Sequence, residues 1–277
     1  MNPAQKALWF IESHLADELS LDDIAAIGGV SRFHMVRAFA AATGFSVMRY
    51  VRARRLTEAA RALAKGAPDI LTLALDADYG SHEAFTRAFR DHFGVTREAV
   101  RAEGCVNHLK LQEPIQMDST ALDHLPKPRF QTGKPLLVAG LAERISHDNG
   151  AGIPALWHRF HQSVDGLPGR IGKVAYGVCC NGDDAGNFDY VAAVEVADFS
   201  DLPHEFSRVR IPAQKYAVFT HSDHVSTVRR TVNTIWNHWL PASGFEVADA
   251  PNFERYDEKF DPKTGNGGFE IWVPVKA

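Results

Sequence analysis

The sequence has few of the features that mark membrane-bound and secreted proteins. It contains no run of about eighteen apolar residues, the length that a membrane-spanning helix needs, and no apolar stretch of signal-peptide length precedes Glu12. Its three cysteines, Cys105, Cys179 and Cys180, are too few for a disulfide framework and suit a reducing compartment. We therefore expect a cytoplasmic protein that makes no contact with a membrane.

Motifs for catalysis and metal binding are missing too. The sequence has no G-x-S-x-G, no glycine-rich phosphate loop, no CxxC and no HExxH. The histidine pairs His158/His161 and His221/His224 have helical or loop spacing, but no cysteine ligand accompanies them. Cys179 and Cys180, adjacent in a predicted strand, would point to opposite faces. We predict no catalytic residue, no metal and no cofactor.

Length and composition are those of a globular protein with two domains. The chain has 277 residues, 45% hydrophobic and 23% charged. Its net charge of −4 divides unevenly: residues 1–110 hold 14 basic and 13 acidic residues (+1), and residues 111–277 hold 16 and 21 (−5). The stretch 31–61 contains Glu58 as its only acid and seven arginines: Arg32, Arg37, Arg49, Arg52, Arg54, Arg55 and Arg61.

Such a basic cluster attracts phosphate groups. Within it, Arg52, Arg54 and Arg55 are predicted to face phosphate or solvent rather than base edges. A solvated helix face is the alternative.

Helical periodicity dominates the first hundred residues. Capping residues predict helix starts at Asn2, Ser20, Ser31, Ser46, Asp69 and Ser81. The segment from Ser46 to about Lys65 predicts one long helix of about 30 Å, and Gly66-Ala67-Pro68 ends it.

An internal repeat at a spacing of fifty residues organises this region. Ser31–Phe39 aligns with Ser81–Phe89, both reading Ser-x-x-x-apolar-x-Arg-Ala-Phe, and glycines follow at Gly44 and Gly94. We predict two helix-turn-helix units joined by the long helix. Helical spacing assigns Met35, Phe39, Ala42, Phe85 and Phe89 to the core. The opposite face carries the predicted DNA-binding residues Arg32, Phe33, Val36, Arg37, His82, Glu83, Thr86, Arg87 and Arg90.

These two matched helices, with the connecting segment Tyr50–Ala59 and the Phe-x4-Gly endings, resemble the AraC/XylS-type regulator domain over about residues 5–103. The resemblance implies that both helices enter successive major grooves, and a connector of about 30 Å suits one turn of B-DNA, about 34 Å. Asp78 departs from the family pattern, which has glycine in this turn. Because aspartate tolerates the left-handed conformation, we expect an intact fold and a loss of roughly 1 kcal/mol.

The predicted DNA contacts differ in kind. Arg37 and Arg87 would take guanine or phosphate, with an ion pair to a neighbouring helix as the alternative. Phe33 and Val36 would contact thymine methyl groups. His82 and Glu83 would meet base edges or remain solvated.

The second half changes to strands and helices after a segment with little periodicity. We divide the chain into a DNA-binding domain (1–107), a linker (108–121) and a second domain (122–277). In the second domain a strand–helix–strand–strand order occurs twice at a spacing near eighty: strands 136–141, 174–178 and 188–196 with helix 153–162, then strands 216–219, 252–256 and 269–273 with helix 227–240. Two such units packed together would leave a central groove.

This half resembles the GyrI-like, or Rob-type, effector-binding family. The segments that carry the resemblance are 211–219, Trp239–Gly244, Phe253–Tyr256 and Glu270–Pro274. The family implies amphipathic, often cationic and aromatic ligands between the repeats, with an acid at the position of Glu254. Strand alternation puts Glu254 and Tyr256 on one face and Phe253 and Arg255 on the other. The predicted ligand-binding residues are Glu254, Tyr256, Tyr176, Tyr190 and Trp272.

Glu254 and a further candidate wall residue, Trp236, have alternative interpretations. Glu254 would otherwise pair with Arg255 or face water, and Trp236 fits a helical core stripe better than a ligand wall. Together, the two halves of the sequence predict an all-α double helix-turn-helix domain followed by an α+β domain built from a duplicated unit.

Such a chain would be a transcription regulator that binds double-stranded DNA and a small effector and is not an enzyme. RNA polymerase is a further candidate partner. A hydrolase of small strained-ring compounds, using an acid and a tyrosine in the same groove, is the alternative, and a protein-interaction module is a third.

Overall fold

The computed structural model describes residues 1–66, 69–115, 122, 124–146 and 152–276. Its N-terminal half is helical. The helices are α1 (Pro3–Ser13), α2 (Leu21–Gly28), α3 (Arg32–Thr43), α4 (Val47–Ala64), α5 (Ile70–Asp76), α6 (His82–Phe93) and α7 (Arg97–Glu103). Within the described ranges, no helix is both long and apolar enough to cross a bilayer.

The predicted helix starts are confirmed. Asn2 and Ser20 form capping boxes with Gln5 and Asp23, and the side chains of Ser31, Asp69 and Ser81 each accept a backbone N–H of the first turn. Ser46 precedes α4 as predicted, but its side chain makes no capping hydrogen bond. These caps satisfy N–H groups that the helix itself leaves without a partner.

Helices α3 and α6 are the two helices that the family resemblance assigns to the major groove, and we call them the recognition helices. They bury the apolar residues that the repeat predicts. Met35, Phe39, Phe85 and Phe89 have no exposed surface. Ala42 is half-buried. The prediction that Val36 lies on the outward, DNA-binding face is wrong. Val36 is 9% exposed and packs into the core formed by α1 to α4.

The prediction that Arg54 and Arg55 face phosphate or solvent is also wrong. Both are buried. Arg54 donates to Glu12 at 2.9 Å (Nη2 to Oε2), to Glu58 at 3.0 Å and to the Gln112 carbonyl at 3.0 Å. The reason is that α4 runs through the middle of the domain, where a guanidinium needs a carboxylate and carbonyl groups to replace water. Arg52, on the open side of α4, is exposed.

Asp78 adopts the left-handed conformation expected from its position in the turn, with φ of 64°. Its carboxylate also has a partner that the sequence alone does not reveal. Arg55 Nη1 donates to Asp78 Oδ2 at 2.6 Å, and the same guanidinium donates to the carbonyls of Leu15 and Asp17. Aspartate at this position therefore carries some backbone strain, but its carboxylate neutralises a buried arginine.

The C-terminal half is a curled antiparallel sheet with helices. Its strands are β1 (Arg129–Gly133), β2 (Leu136–Ser146), β3 (Arg170–Cys180), β4 (Asn187–Val196), β5 (Ser207–Ile211), β6 (Gln214–His221), β7 (Glu246–Val247), β8 (Asn252–Tyr256) and β9 (Phe269–Lys276). The helices are α8 (Gly152–Ser163), α9 (Val228–Thr234) and α10 (Leu240–Ser243), and a π-helical turn, Ile235–Trp239, joins the last two.

The duplicated strand–helix–strand–strand order is confirmed, and so is the fold class. The first unit is β2–α8–β3–β4 and the second is β6–α9/α10–β8–β9. The sheet order β1-β6-β9-β8-β3-β4-β2-β5 joins the units through β3 and β8. Three strands, β1, β5 and β7, lie outside the predicted pattern. Of these, β1 precedes the first unit but pairs with β6 of the second, and β5 pairs with β2 of the first.

We predict that Asp78→Ala is less stable than Asp78→Gly. Both variants remove the carboxylate from Arg55, but alanine keeps the left-handed strain, which costs about 1–2 kcal/mol, and glycine removes it. Urea unfolding of the two variants and the unchanged chain measures the difference. Equal stability of the two variants would show that the backbone at residue 78 carries no strain.

Candidate effector site and DNA-facing helices

A carboxylate lies on the helix-covered face of the sheet, held by two tyrosines. Glu254 extends from β8 and Tyr190 from β4. The Tyr190 hydroxyl donates to Glu254 Oε2 at 2.7 Å, and the Tyr256 hydroxyl donates to the same oxygen at 2.8 Å. Trp157 of α8 donates from Nε1 to the Tyr190 hydroxyl at 3.0 Å. The site therefore combines one acid with three hydrogen-bonded aromatic side chains.

Burial dominates the electrostatics of this group. It raises the pKa of Glu254 above its ordinary value, while the hydrogen bonds from Tyr190 and Tyr256 act in the opposite direction. Burial also raises the pKa of both tyrosines well above the ordinary value, and the nearby Glu254 charge adds to the effect. The tyrosine hydroxyls therefore stay protonated and act as hydrogen-bond donors.

Aromatic side chains surround the acid. Trp157 packs edge-on against Tyr256 with ring centroids 5.2 Å apart, and Tyr256 stacks on Phe269 at 4.6 Å. Trp236, in the π-helical turn, is buried in the core cluster of the second unit, as its helical stripe predicts. Trp157 is a site residue that the sequence reasoning did not select, although its spacing of 79 residues from Trp236 marks it as the equivalent position of the first unit.

Two predicted ligand-binding residues lie on the other face of the sheet. In the β3–β8 register Gly177 is opposite Glu254, so Tyr176 is opposite Arg255. Tyr176 packs against Phe253, and Trp272 stacks on Phe253 at 5.2 Å. The assignment of Tyr176 and Trp272 to the groove with Glu254 is therefore wrong, whereas Tyr190 and Tyr256 do contact Glu254.

The alternative that Glu254 pairs with Arg255 is wrong as well. Arg255 Nη1 lies 3.5 Å from Glu270 Oε2, on the face away from Glu254.

Gly177 makes room for the Tyr190–Glu254 pair. A Cβ at this position would collide with the Tyr190 hydroxyl and lie 2.6 Å from Glu254 Oε2. Since Tyr190 is buried in the core of the first unit, neither group moves away freely. Glycine is therefore required where the two units meet.

The second recognition helix, α6, is open to a partner. Arg87, Arg90 and Glu83 are exposed, and His82 and Thr86 are half-buried. Together with Asp91 they line a shallow depression on the surface. Thr86 donates its hydroxyl to the His82 carbonyl at 2.7 Å.

The first recognition helix, α3, is covered by the C-terminal domain instead. His34 donates from Nε2 to the Trp236 carbonyl at 2.6 Å, and burial lowers the pKa of this histidine. Arg37 is 8% exposed, with its guanidinium carbon 5.3 Å from the Phe33 ring centroid and 5.1 Å from that of Phe188. The predicted outward position of Arg37 is therefore wrong for this arrangement of the chain.

Arg32 and Phe33 keep part of their surface. Phe33 is 39% exposed and makes an edge contact with Trp236 at 6.1 Å. Arg32 is exposed and forms ion pairs with Asp22 and with Asp184 of the C-terminal domain.

Of the two histidine pairs considered for metal binding, His221/His224 has structural partners. His221 bonds through Nδ1 to Thr231 at 2.8 Å, and His224 donates from Nε2 to the Thr264 carbonyl at 3.0 Å. Among the described residues, Glu103, Cys105 and His108 bring three ligand atoms within 4.8 Å of one another on the surface. The sequence reasoning did not select this group, because its members are spread over a turn and match no ligand motif.

We predict that Gly177→Ala lowers the free energy of unfolding by about 1–3 kcal/mol, because overpacking in a filled core forces side chains out of position. Gly182→Ala is the matched control: its Cβ would meet the Asn187 carbonyl at 3.9 Å, an ordinary contact. Urea unfolding measures both. Equal effects of the two substitutions would mean that Gly177 leaves spare room beside Tyr190.

Comparison with known proteins gives the same architecture. Residues 24–103 match a helix-turn-helix domain of AraC type, and residues 126–276 match the GyrI-like small molecule binding domain. The transcriptional regulator Rob of Salmonella typhimurium is 27% identical over 97% of this chain and 96% of its own.

The right origin-binding protein of Escherichia coli K12 is 26% identical with the same coverage. The transcriptional regulator BrlR of Pseudomonas aeruginosa is 34% identical over 46% of this chain and 47% of its own. This chain is therefore a DNA-binding transcriptional regulator and belongs to the AraC-type proteins that carry a GyrI-like small-molecule binding domain.

Proposed function

We propose that the effector of this regulator is an amphipathic aromatic cation that binds beside Glu254, between the two units of the C-terminal domain. The observation that supports the proposal most directly is the convergence of Tyr190 and Tyr256 on one half-buried carboxylate. An ionised acid in such surroundings is costly unless a positive charge accompanies it. A cationic guest supplies that charge.

The aromatic side chains around the acid favour the same class of ligand. A cation above the face of a tryptophan or tyrosine ring gains about 0.5–2 kcal/mol, and the gain is larger where water is excluded. Tyr190 and Tyr256 offer such rings in contact with the carboxylate, and Trp157 is hydrogen-bonded to Tyr190 beside them. A neutral aromatic compound would gain the packing but not the charge interaction.

Binding, rather than turnover, is the activity that this geometry supports. A hydrolase of strained rings would have to use Glu254 as its general base, because the raised pKa of Tyr190 and Tyr256 keeps both hydroxyls protonated. The two tyrosines also occupy Glu254 Oε2. Incubating the full chain with strained-ring compounds, and finding release of hydrolysed product, would favour the hydrolase alternative.

DNA binding is assigned to both recognition helices. We propose that α6 contacts the duplex with His82, Glu83, Thr86, Arg87 and Arg90, and that α3 uses Arg32, Phe33 and Arg37 when it is free of the C-terminal domain. A recognition helix in the major groove places such side chains against base edges and phosphates. Contact with RNA polymerase stays a prediction from the sequence.

We predict that Glu254→Gln weakens binding of the cation tetraphenylphosphonium about tenfold or more and changes binding of neutral triphenylphosphine oxide little. Glutamine keeps the shape and an acceptor for the tyrosine hydroxyls but removes the charge, and a charge-assisted contact contributes about 1.5–3 kcal/mol. Calorimetry with the two compounds measures the effect. Equal losses for both compounds would contradict the assignment of Glu254 as the counter-charge.

The pH dependence of binding gives this variant a second readout. Because burial raises the pKa of Glu254, part of the population is protonated at pH values above the ordinary range for glutamate. A cation favours the carboxylate form, so its affinity should rise as pH increases through the raised pKa, with a proton released on binding. Titration in buffers of different ionisation enthalpy detects that proton, and Glu254→Gln should show none from this site.

We predict that Arg87→Ala weakens binding to a selected DNA site by about 1–3 kcal/mol, because the exposed guanidinium of α6 is placed to contact guanine or phosphate. Arg159→Ala is the control, since it makes the same charge change on an exposed arginine of the C-terminal domain, which pairs with Glu143. Fluorescence anisotropy with labelled duplex measures both. An equal affinity of Arg87→Ala and Arg159→Ala would remove Arg87 from the DNA contacts.

A further inference from the structure

The first recognition helix is bound to the C-terminal domain by polar contacts along its length. Asn237 donates from Nδ2 to the Ala38 carbonyl at 2.7 Å, and Arg229 donates from Nη2 to the Ala40 carbonyl at 3.3 Å. At the start of the helix Arg32 pairs with Asp184, and His34 donates to the Trp236 carbonyl. These contacts hold α3 from its first turn to its last.

This docked position excludes DNA from α3. A recognition helix reads the major groove with side chains that must reach base edges. Arg37 is 8% exposed and lies over Phe188, a residue of the C-terminal sheet. The same side chain cannot contact Phe188 and a base pair together, so docking and DNA binding by α3 are mutually exclusive. The corresponding residue of α6, Arg87, is exposed.

Arg37 also reaches the face of the sheet that holds the effector site. Phe188 and Tyr190 are two residues apart on β4 and therefore share a face. Cys179 is the cross-strand neighbour of Tyr190. The charge of Arg37 and a hydrogen bond from it both act on the Cys179 thiol, and Glu254 also acts on this thiol. The guanidinium of Arg37 thus contacts Phe188 and Cys179, which are the neighbours of Tyr190 along β4 and across to β3.

We propose that Arg37 is a tethered cation that lies at one end of the proposed effector site, and that an aromatic cation bound at Glu254 displaces it and frees α3 for DNA. This inference rests on the proposed function of the site at Glu254. It adds that binding of the effector at this site controls whether the first recognition helix is free. The planar guanidinium between the rings of Phe33 and Phe188 is bound by the same kind of contact that we propose for the effector. Empty protein then binds DNA mainly through α6, and liganded protein uses both helices.

Competition between the two cations accounts for the coupling. A side chain attached to the same chain acts at a high effective concentration, so the docked state lowers the apparent affinity for a free cation. Because linkage is reciprocal, DNA that holds α3 should raise the affinity for the cation by the factor by which the cation raises the affinity for DNA.

Two variants of the C-terminal domain test the proposal without touching α3 or the effector site. Asp184→Asn with Arg229→Ala removes two exposed partners of α3 and leaves the net charge unchanged. Asn237→Ala removes the buried amide that binds the Ala38 carbonyl. Urea unfolding and calorimetric binding of tetraphenylphosphonium establish that each variant is folded and has an intact effector site.

The DNA is a duplex selected from random sequences by the full chain with tetraphenylphosphonium present. We expect the exposed double variant to bind this duplex at least threefold more tightly than the unchanged chain, and Asn237→Ala about tenfold more tightly, both without the cation. Adding tetraphenylphosphonium should tighten the unchanged chain by a similar factor and the variants much less.

Arg37→Ala tests whether Arg37 competes with the cation or whether its contact with Phe188 only holds the two domains together. It removes the tethered competitor, so it should bind tetraphenylphosphonium several-fold more tightly. It should also bind the selected duplex more weakly, since the freed helix has lost a DNA contact. An unchanged affinity for the cation would overturn the proposal that Arg37 competes for the groove.

The results also distinguish failure of this inference from failure of the proposed function. If the unchanged chain binds tetraphenylphosphonium through Glu254 but the opened variants bind DNA no more tightly, the docked helix is not inhibitory and the inference is wrong. If no cation binds, the proposed function is wrong. Tighter DNA binding by the variants would in that case still support inhibition by docking, but displacement by a cation would be overturned.

Discussion

The pairing of β3 with β8 is the constraint on which the rest of the C-terminal domain depends. It joins the two strand–helix–strand–strand units into one sheet, and its register puts Gly177 opposite Glu254. Only the absence of a side chain at residue 177 lets Tyr190 from the first unit reach Glu254 in the second. A shift of one residue would send every side chain of β8 to the other face. The acid would then lie among the apolar residues around Phe253 and have no tyrosine partner.

The face of the sheet that carries Glu254 is covered by α8 in one part and by α3 in another. Its side chains differ between the two parts for this reason. Toward α8 it carries Tyr190 and Tyr256, whose hydroxyls hold the carboxylate. Toward α3 it carries Phe188 and Cys179, which contact Arg37. Burial raises the pKa of Cys179 to about 11, so the thiol stays neutral and adds no charge of its own beside the guanidinium. The positive charge of Arg37 is therefore the main charge beside Phe188 and Cys179. The negative charge of the Glu254 carboxylate is the main charge beside Tyr190 and Tyr256.

The sequence predicts well which residues of one strand or helix share a face. It does not predict which residues of two different strands lie side by side. Glu254 and Tyr256 share a face because they are two residues apart on one strand, and that prediction is confirmed by their hydrogen bond. The prediction that Tyr176 and Trp272 line the same groove depends on how β8 pairs with β3 and with β9. No feature of a single sequence fixes that pairing. The assignment was wrong for this reason.

The same distinction applies to the arginines. The repeat predicted which residues of α3 and α6 are buried in the helical core, because each helix has its own period. It did not predict that Glu12 and Asp78, distant in sequence, neutralise Arg54 and Arg55. Charge counting over the stretch 31–61 therefore overestimated the basic surface. The partners of a buried guanidinium come from the tertiary fold.

These ion pairs determine what DNA would meet in the docked arrangement. Arg54 and Arg55 are committed to the core, and Arg61 pairs with Glu58 and Glu113. Arg32 and Arg37 are held by Asp184 and Phe188 of the C-terminal domain, contacts that release of α3 would break. Phosphate affinity grows with each cation that reaches the backbone. The C-terminal domain therefore controls both the base-reading surface of α3 and part of the positive charge with which this nearly neutral domain attracts DNA.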